Sequence, residues 1–277
     1  MKIGVCADVY GKCYGEQRFE RMAADGFEYA SVMITKDMLD APEAALARCT
    51  REAEMATAAG VGIIRAEVLS DRFPFLHAET EEIRCELLAK LTCAIDMAKV
   101  MGCEQLILHP IIPFGFDDGF ESDQSVQIND EFFLQLLAKA EERGVTLCVC
   151  TPSIRKFPLR TPEQLVALTE RLGGRLKTCL DVGGEARVGR DPVEGIRQLG
   201  GTLASLRIRD NRGRSNEDLV PGLGTVNWNA VLAALTEIGY DGPFILNVSL
   251  DELFVNAVPE IKTRMIYQIA KSITDTK

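Results

Sequence analysis

Leu176–Pro192 reads LKTCLDVGGEARVGRDP. An apolar run climbs to an acid, Asp181, and a glycine pair and a loop follow. Asp191-Pro192 then opens a helix, with a capping carboxylate ahead of a proline at the first helical position. This order is a strand delivering an aspartate into a loop just before a helix. In parallel α/β proteins ligands collect outside the carboxyl ends of the strands, so Asp181 stands where chemistry is usually done. The plainer alternative is a solvated strand-end aspartate that caps the loop.

Working outward, the same strand-then-helix unit recurs about eight times. Strands are predicted at Lys2–Ala7, Tyr29–Ile34, Gly62–Val68, Gln105–His109, Thr146–Cys150, Leu176–Asp181, Leu203–Ile208 and Phe244–Val248. Helices are predicted near Glu16–Ala24, Pro42–Ala59, Thr80–Met101, Asp130–Arg143, Pro162–Leu172, Pro192–Leu199, Trp228–Ile238 and Pro259–Ile273. Thr161-Pro162 repeats the capping signal of Asp191-Pro192. Eight such units with right-handed crossovers predict a single (β/α)8 TIM barrel over residues 1–277. The competitor, a doubly wound sheet, usually carries a Gly-rich phosphate loop after its first strand, and CADVYGKCYG is not one. Five long loops, Leu69–Glu79, Ile111–Asp123, Ser153–Arg160, Asp210–Val226 and Ser249–Val258, follow strands and fall on the face where barrel active sites form.

The 41 acids outnumber the 31 bases, for a formal charge of -10. Phosphate backbones and anionic membranes need clustered Lys and Arg, so neither nucleic acid nor membrane is an expected partner. MKIGVCADVY enters a strand directly, without a leader's apolar region or cleavage site, and no apolar run reaches spanning length. The expectation is a cytoplasmic protein. Nine scattered cysteines without a CxxC pair fit reduced thiols rather than a disulfide frame. The only histidines, His77 and His109, cannot make a His-rich metal cluster.

LKTCLDVGGEARVGRDP resembles the sixth strand and loop of the xylose-isomerase-like barrels, the sugar isomerase/epimerase superfamily that also contains endonuclease IV. Their usual form is close to CLDTGHAxxxGxDP. LRIRDNRGRSNEDLVPGLGTVNWNAVLAALTEIGYDGPFILNV resembles their seventh strand through the eighth, and MGCEQLILHP their fourth. The resemblance spans most of the chain and implies the same barrel. It also implies one divalent metal held by a Glu on the fifth strand, Asp on the sixth, His on the seventh and Glu on the eighth, with the glutamates serving as acid and base. Here those positions carry Cys150, Asp181, Arg207 and Asn247. The family histidine three residues after the aspartate is Gly184. Only one ligand in four is kept.

The replacements change the chemistry. A guanidinium stays protonated and has no lone pair for a metal, and Asn247 offers only a neutral carbonyl oxygen. No cofactor is therefore expected; the alternative is a divalent metal (Mn, Mg or Zn) at a non-standard site, using Asp181 and Cys150. Arg207 paired with Asp181 would place a fixed cation near the former metal position, able to steady a developing oxyanion; the same pair could equally plug a dead site. His109, at the end of the fourth strand, is the best neutral base. Further candidates for contact with substrate are Arg65, which could instead pair with Glu67 at the rim, Glu185, and Arg209 and Arg214 in the seventh loop, which could also be a solvated charged face. Cys148, Cys150 and Cys179 share an inward parity and read as barrel filling, with Cys150 at the old ligand position. Trp228 reads as packing at a helix start.

The leading reading is a sugar or sugar-acid isomerase/epimerase that has lost the superfamily metal, with a small sugar, sugar acid or sugar phosphate as its partner and a homo-oligomer as a possible assembly. The alternative is a non-catalytic barrel that binds a small molecule or serves as a subunit of a larger sugar-metabolising enzyme. An abasic-site endonuclease fits poorly with two histidines and this charge.

Overall fold

The computed structural model describes residues 1–68, 77–113, 123–154, 157–251, 253 and 256–275. The strands are β1 (Ile3–Cys6), β2 (Tyr29–Ile34), β3 (Gly62–Val68), β4 (Gln105–Leu108), β5 (Thr146–Cys150), β6 (Lys177–Asp181), β7 (Leu203–Ile208) and β8 (Phe244–Leu246). All pair in parallel with their sequence neighbours, and β8 closes on β1. The helices are α1 (Ala7–Tyr14), α2 (Arg18–Asp25), α3 (Lys36–Asp40), α4 (Pro42–Ala58), α5 (Glu81–Val100), α6 (Asp123–Arg143), α7 (Pro162–Arg171), α8 (Val182–Val188), α9 (Pro192–Leu199), α10 (Trp228–Glu237) and α11 (Pro259–Asp275). None of the described helices is long and apolar enough to cross a membrane.

The predicted (β/α)8 barrel is the observed one, and every predicted strand lies within two residues of its observed ends. Local capping fixes several of the helix starts. Thr161 Oγ1 accepts from the Gln164 amide at 3.3 Å while Gln164 Oε1 accepts from the Thr161 amide at 3.1 Å, a reciprocal box that starts α7. Asp191 Oδ1 accepts from the Val193 amide at 2.9 Å at the start of α9. The main core lies between strands and helices, where Phe133, Leu91, Ile95 and Phe244 are buried. A second, smaller cluster of Ile107, Cys148, Cys150 and Cys179 fills the inside of the barrel, as the inward parity of the cysteines predicts.

Three helices, α1, α3 and α8, were not expected, and α1 and α8 bear on the site. α1 follows β1 directly, and α8 follows β6 directly, where the sequence suggested a loop after the glycine pair. Asp181 is the N-cap of α8: its Oδ1 accepts from the Gly184 amide at 2.8 Å. Of the five long loops predicted, residues 69–76, 114–122, 155–156, 252 and 254–255 lie outside the described residues. The β7–α10 connection is described throughout. It wraps around the buried Asp210, whose carboxylate accepts from the amides of Asn211, Gly222 and Val226 and from Trp228 Nε1 at 2.8–3.1 Å. Trp228 thus packs at its helix start, edge-on to Phe244, and anchors the loop through its ring nitrogen.

Candidate functional site

The C-terminal mouth of the barrel opens into a cavity of about 550 Å³. Its polar lining comes from Asp8 and Lys12 of α1, His109, Arg187 of α8, and Arg207, Arg209, Asn216, Asp218, Asn247 and Asp251. Below this lining sits a connected polar network inside the barrel. Arg65, fully buried on β3, crosses to the far strands. It donates from Nε to Ser31 Oγ at 3.2 Å, from Nη1 to Leu206 O at 2.7 Å and Ser205 Oγ at 3.4 Å, and from Nη2 to Asn247 Oδ1 at 2.6 Å. Asn247 Nδ2 in turn donates to Glu67 Oε2 at 3.5 Å, and Arg65 Nη2 lies 3.6 Å from that same oxygen. A guanidinium taken fully out of water is tolerable only with this degree of satisfaction.

The register places Asp181 beside Arg207 on neighbouring strands, but Arg209 is the main partner of the carboxylate. Arg209 Nε donates to Asp181 Oδ1 at 2.8 Å and Arg209 Nη2 to Oδ2 at 2.6 Å, a two-point fork with both residues about 1% exposed. Arg207 reaches Asp181 Oδ2 only at 3.4 Å, and its Nε lies 3.4 Å from Glu67 Oε1. The Arg207–Asp181 pair read from the sequence is thus present but long, and the tight pair that fills the position is Arg209–Asp181. The glycine pair explains the geometry. A Cβ on Gly183 would stand 2.7 Å from the Arg209 carbonyl oxygen, and one on Gly184 would stand 2.6 Å from Asp181 Cγ. Two side-chain-free residues let α8 settle onto the pair.

Electrostatics follow from this packing. Burial works against the charge of Asp181, but the guanidiniums of Arg209 and Arg207 and the Gly184 amide hold its pKa down to about 2. Burial pushes His109 down to about 4, with Arg207 and Arg209 adding to the shift and Glu67 and Asp181 opposing it. At neutral pH it is an uncharged imidazole. Cys150 shares a hydrogen bond with Cys179 and is buried, and both raise its thiol well above the ordinary range.

The sequence candidates separate accordingly. His109, Arg207, Arg209 and Asn247 come together on the cavity wall. Asp181 stands behind Arg207 and Arg209 and orients them. Arg65 and Cys150 are fully enclosed within the barrel and do not line the cavity, which corrects the expectation of direct ligand contact. Arg65 and Glu67 belong to the barrel interior rather than its rim. Glu185 is also enclosed. It turns away to Arg190, which donates to it from Nε at 2.6 Å and from Nη2 at 2.8 Å. Arg214 is exposed and outside the cavity. Arg209, a candidate for substrate contact with a solvated charged face as the alternative, lines the cavity and is buried, so the solvated face does not describe it. Sequence reasoning missed Asp8, Lys12, Arg187, Asp218 and Asp251. For Asp8 and Lys12 a signal existed, the four-residue spacing immediately after β1, but it needed α1 to be seen as a helix.

The donor set does not fit a divalent cation. Both Asp181 oxygens are engaged by Arg209, Asn247 Oδ1 is engaged by Arg65, Cys150 is a protonated thiol, and Arg207 has no lone pair. Among the described residues no group of three or more His, Cys, Asp or Glu is placed to hold a metal ion.

Fold and cavity together define a (β/α)8 barrel with a polar cavity at the C-terminal ends of its strands. The family model of the xylose isomerase-like TIM barrel matches residues 19–265, and the chain belongs to that family. An uncharacterized protein of Methanocaldococcus jannaschii is 28% identical over 156 residues, 54% of this chain and 52% of that protein. The chain thus spans about half the length of that curated relative. A D-psicose 3-epimerase crystallised in the presence of D-fructose superimposes with a TM-score of 0.79 at 18% identity, over 99% of both chains. A putative xylose isomerase from Rhodospirillum rubrum gives a TM-score of 0.80 at 18% identity, over 100% of this chain and 99% of that one. At such identities these likenesses speak for the fold.

Proposed function

We propose that the protein is an isomerase or epimerase of a small sugar or sugar derivative, working without the divalent metal implied by the resemblance. The observation that carries this is Arg207, a permanent cation on the cavity wall at the position expected to hold a metal-binding histidine. Moving a proton beside a carbonyl builds negative charge on oxygen, and a fixed guanidinium in a water-poor site can stabilise that charge. Arg209, locked by Asp181 and Asp218, shapes the wall beside it. His109, neutral and on the same wall, is the group able to accept a proton there. Membership of the family and the likeness to sugar epimerases support a carbohydrate as ligand.

The second reading is a non-catalytic binding barrel or a subunit of a larger enzyme. It is favoured by one observation: burial depresses His109 to about 4, which makes it a weak base, and neither strand-end glutamate is present. Proton exchange separates the two. The protein is incubated in heavy water with pentoses, hexoses and their ketoses, with EDTA present throughout, and followed by NMR. Deuterium appearing beside the carbonyl carbon supports the isomerase reading. Saturable binding with no exchange for any sugar overturns it in favour of the binding barrel.

A further inference from the structure

The guanidiniums of the barrel mouth are used very unequally. Arg209 makes five hydrogen bonds and Arg65 makes four, so both are committed to the protein. Arg207 makes one, at 3.4 Å to Asp181 Oδ2. Its Nε is buried and donates to nothing, because Glu67 Oε1 at 3.4 Å lies off the N–H direction. Buried donors are rarely left idle, and a guanidinium offers five N–H groups in a planar fork. The Nη2 of Arg207 makes no hydrogen bond either, and this nitrogen belongs to a side chain that is about 16% exposed and lines the cavity, so it is the donor a ligand can reach.

Arg207 lies at 3.4 Å from both Asp181 and Glu67, but two further cations on the wall have no carboxylate partner among the described residues. Arg187 donates only to neutral oxygens, Ser153 O, Ser153 Oγ and Asn216 Oδ1, and Lys12 forms no ion pair. Three acids share the lining. Asp218 is taken by Arg209, while Asp8 and Asp251 accept only from Cys6 Sγ and from Ser249. Their free acceptors suit hydroxyl donors. The geometry points to a ligand with both features: a polyhydroxy chain that carries one oxyanion, carboxylate or phosphate, held by the idle donors of Arg207 with Lys12 and Arg187 adding charge, and hydroxyls donating to Asp8 and Asp251. This deepens the carbohydrate reading and rests on it. It narrows the class from sugars in general to sugar acids or sugar phosphates, since a neutral sugar would leave Lys12 and Arg187 without a charged acceptor and Arg207 with only its long contacts to Asp181 and Glu67.

The test is titration calorimetry with matched probes: D-gluconate and D-ribonate, D-glucose 6-phosphate and D-ribose 5-phosphate, and D-glucose and D-ribose. At least one acid or phosphate should bind tenfold or more tightly than its neutral counterpart, and the stronger anion class identifies carboxylate or phosphate as the source of the oxyanion. Arg207→Gln should erase that advantage, Arg207→Lys should keep only part of it, and Arg214→Gln, outside the cavity, should keep all of it. Should the Arg207 variants fail to fold, the wild type still decides: added salt must weaken the anion and spare the neutral sugar. Neutral sugars binding as well as the anions, or an anion preference that survives Arg207→Gln, overturns the inference. If neutral sugars also exchange deuterium, the function stands while this inference falls. If none of the six probes binds, both fall.

Discussion

Replacing Arg209 by methionine should be far more damaging to folding than the same change at Arg207, although the two arginines are two residues apart on one strand end. Arg209 gives Asp181 two charge-assisted hydrogen bonds at 2.8 and 2.6 Å, and both side chains are almost fully enclosed. Removing one partner of such a pair strands the other charge and costs about 3–5 kcal/mol. The Gly184 amide and the 3.4 Å contact from Arg207 are all that would remain to Asp181, so its pKa should climb from about 2 toward or above the ordinary 3.8. Removing Arg207 forfeits one long hydrogen bond to Asp181 and a 3.4 Å ion pair with Glu67, together worth about 1–2 kcal/mol. The expected gap between the variants is therefore about 1–4 kcal/mol. Urea unfolding at pH 7 measures it, read from the midpoints at constant slope. Adding Asp181→Asn to Arg209→Met should restore much of the loss, because the asparagine oxygen still caps α8 while the stranded charge is gone. Equal costs for Arg207→Met and Arg209→Met would refute the division between a holding arginine and a serving one.

Acid should destabilise the protein through His109. Its folded pKa of about 4 lies below the ordinary 6.5, so the unfolded chain binds the extra proton between those values, and stability falls as pH drops from 6.5 to 4. The full span amounts to about 3 kcal/mol. Burial raises Glu185, which acts in the opposite sense, so the measurement is the difference between wild type and His109→Asn; identical pH profiles would contradict the assignment. Gly184→Ala should cost about 1–3 kcal/mol, because the added methyl meets Asp181 Cγ at 2.6 Å and Ser153 Cβ at 2.8 Å. It should also loosen Arg209, visible as a shift in its guanidinium Nε–H resonance. An unchanged melting temperature and spectrum would show that α8 yields freely.

The barrel was legible because each of its strands is a short apolar run bounded by turns, and several helix starts carry their own cap, as at Thr161 and Asp191. Those signals are local. α8 escaped notice because VGGEARV has two glycines in its first turn, which propensity counts against a helix, and what fixes it is the Asp181 cap together with the closeness of Arg209. The parity of β7 puts Arg207 and Arg209 on the same side, but nothing in the spacing shows which one meets Asp181. That choice depends on Asn216 and Asp218, which the β7–α10 loop folds back against Arg209. Arg65 looked like a rim residue for the same reason. Its partners Ser31 and Ser205 come from β2 and β7 and Asn247 from just beyond β8, and only closure of the barrel brings them to it.

The central claim is that a guanidinium, not a metal, supplies the positive charge at the mouth. Crystals grown with millimolar manganese and measured at the manganese absorption edge test it directly. The account predicts no anomalous peak among Asp181, Arg207, Asn247 and Glu67, with Arg209 still forked onto Asp181. A full-occupancy manganese bound by Asp181, with Arg209 displaced, would contradict it.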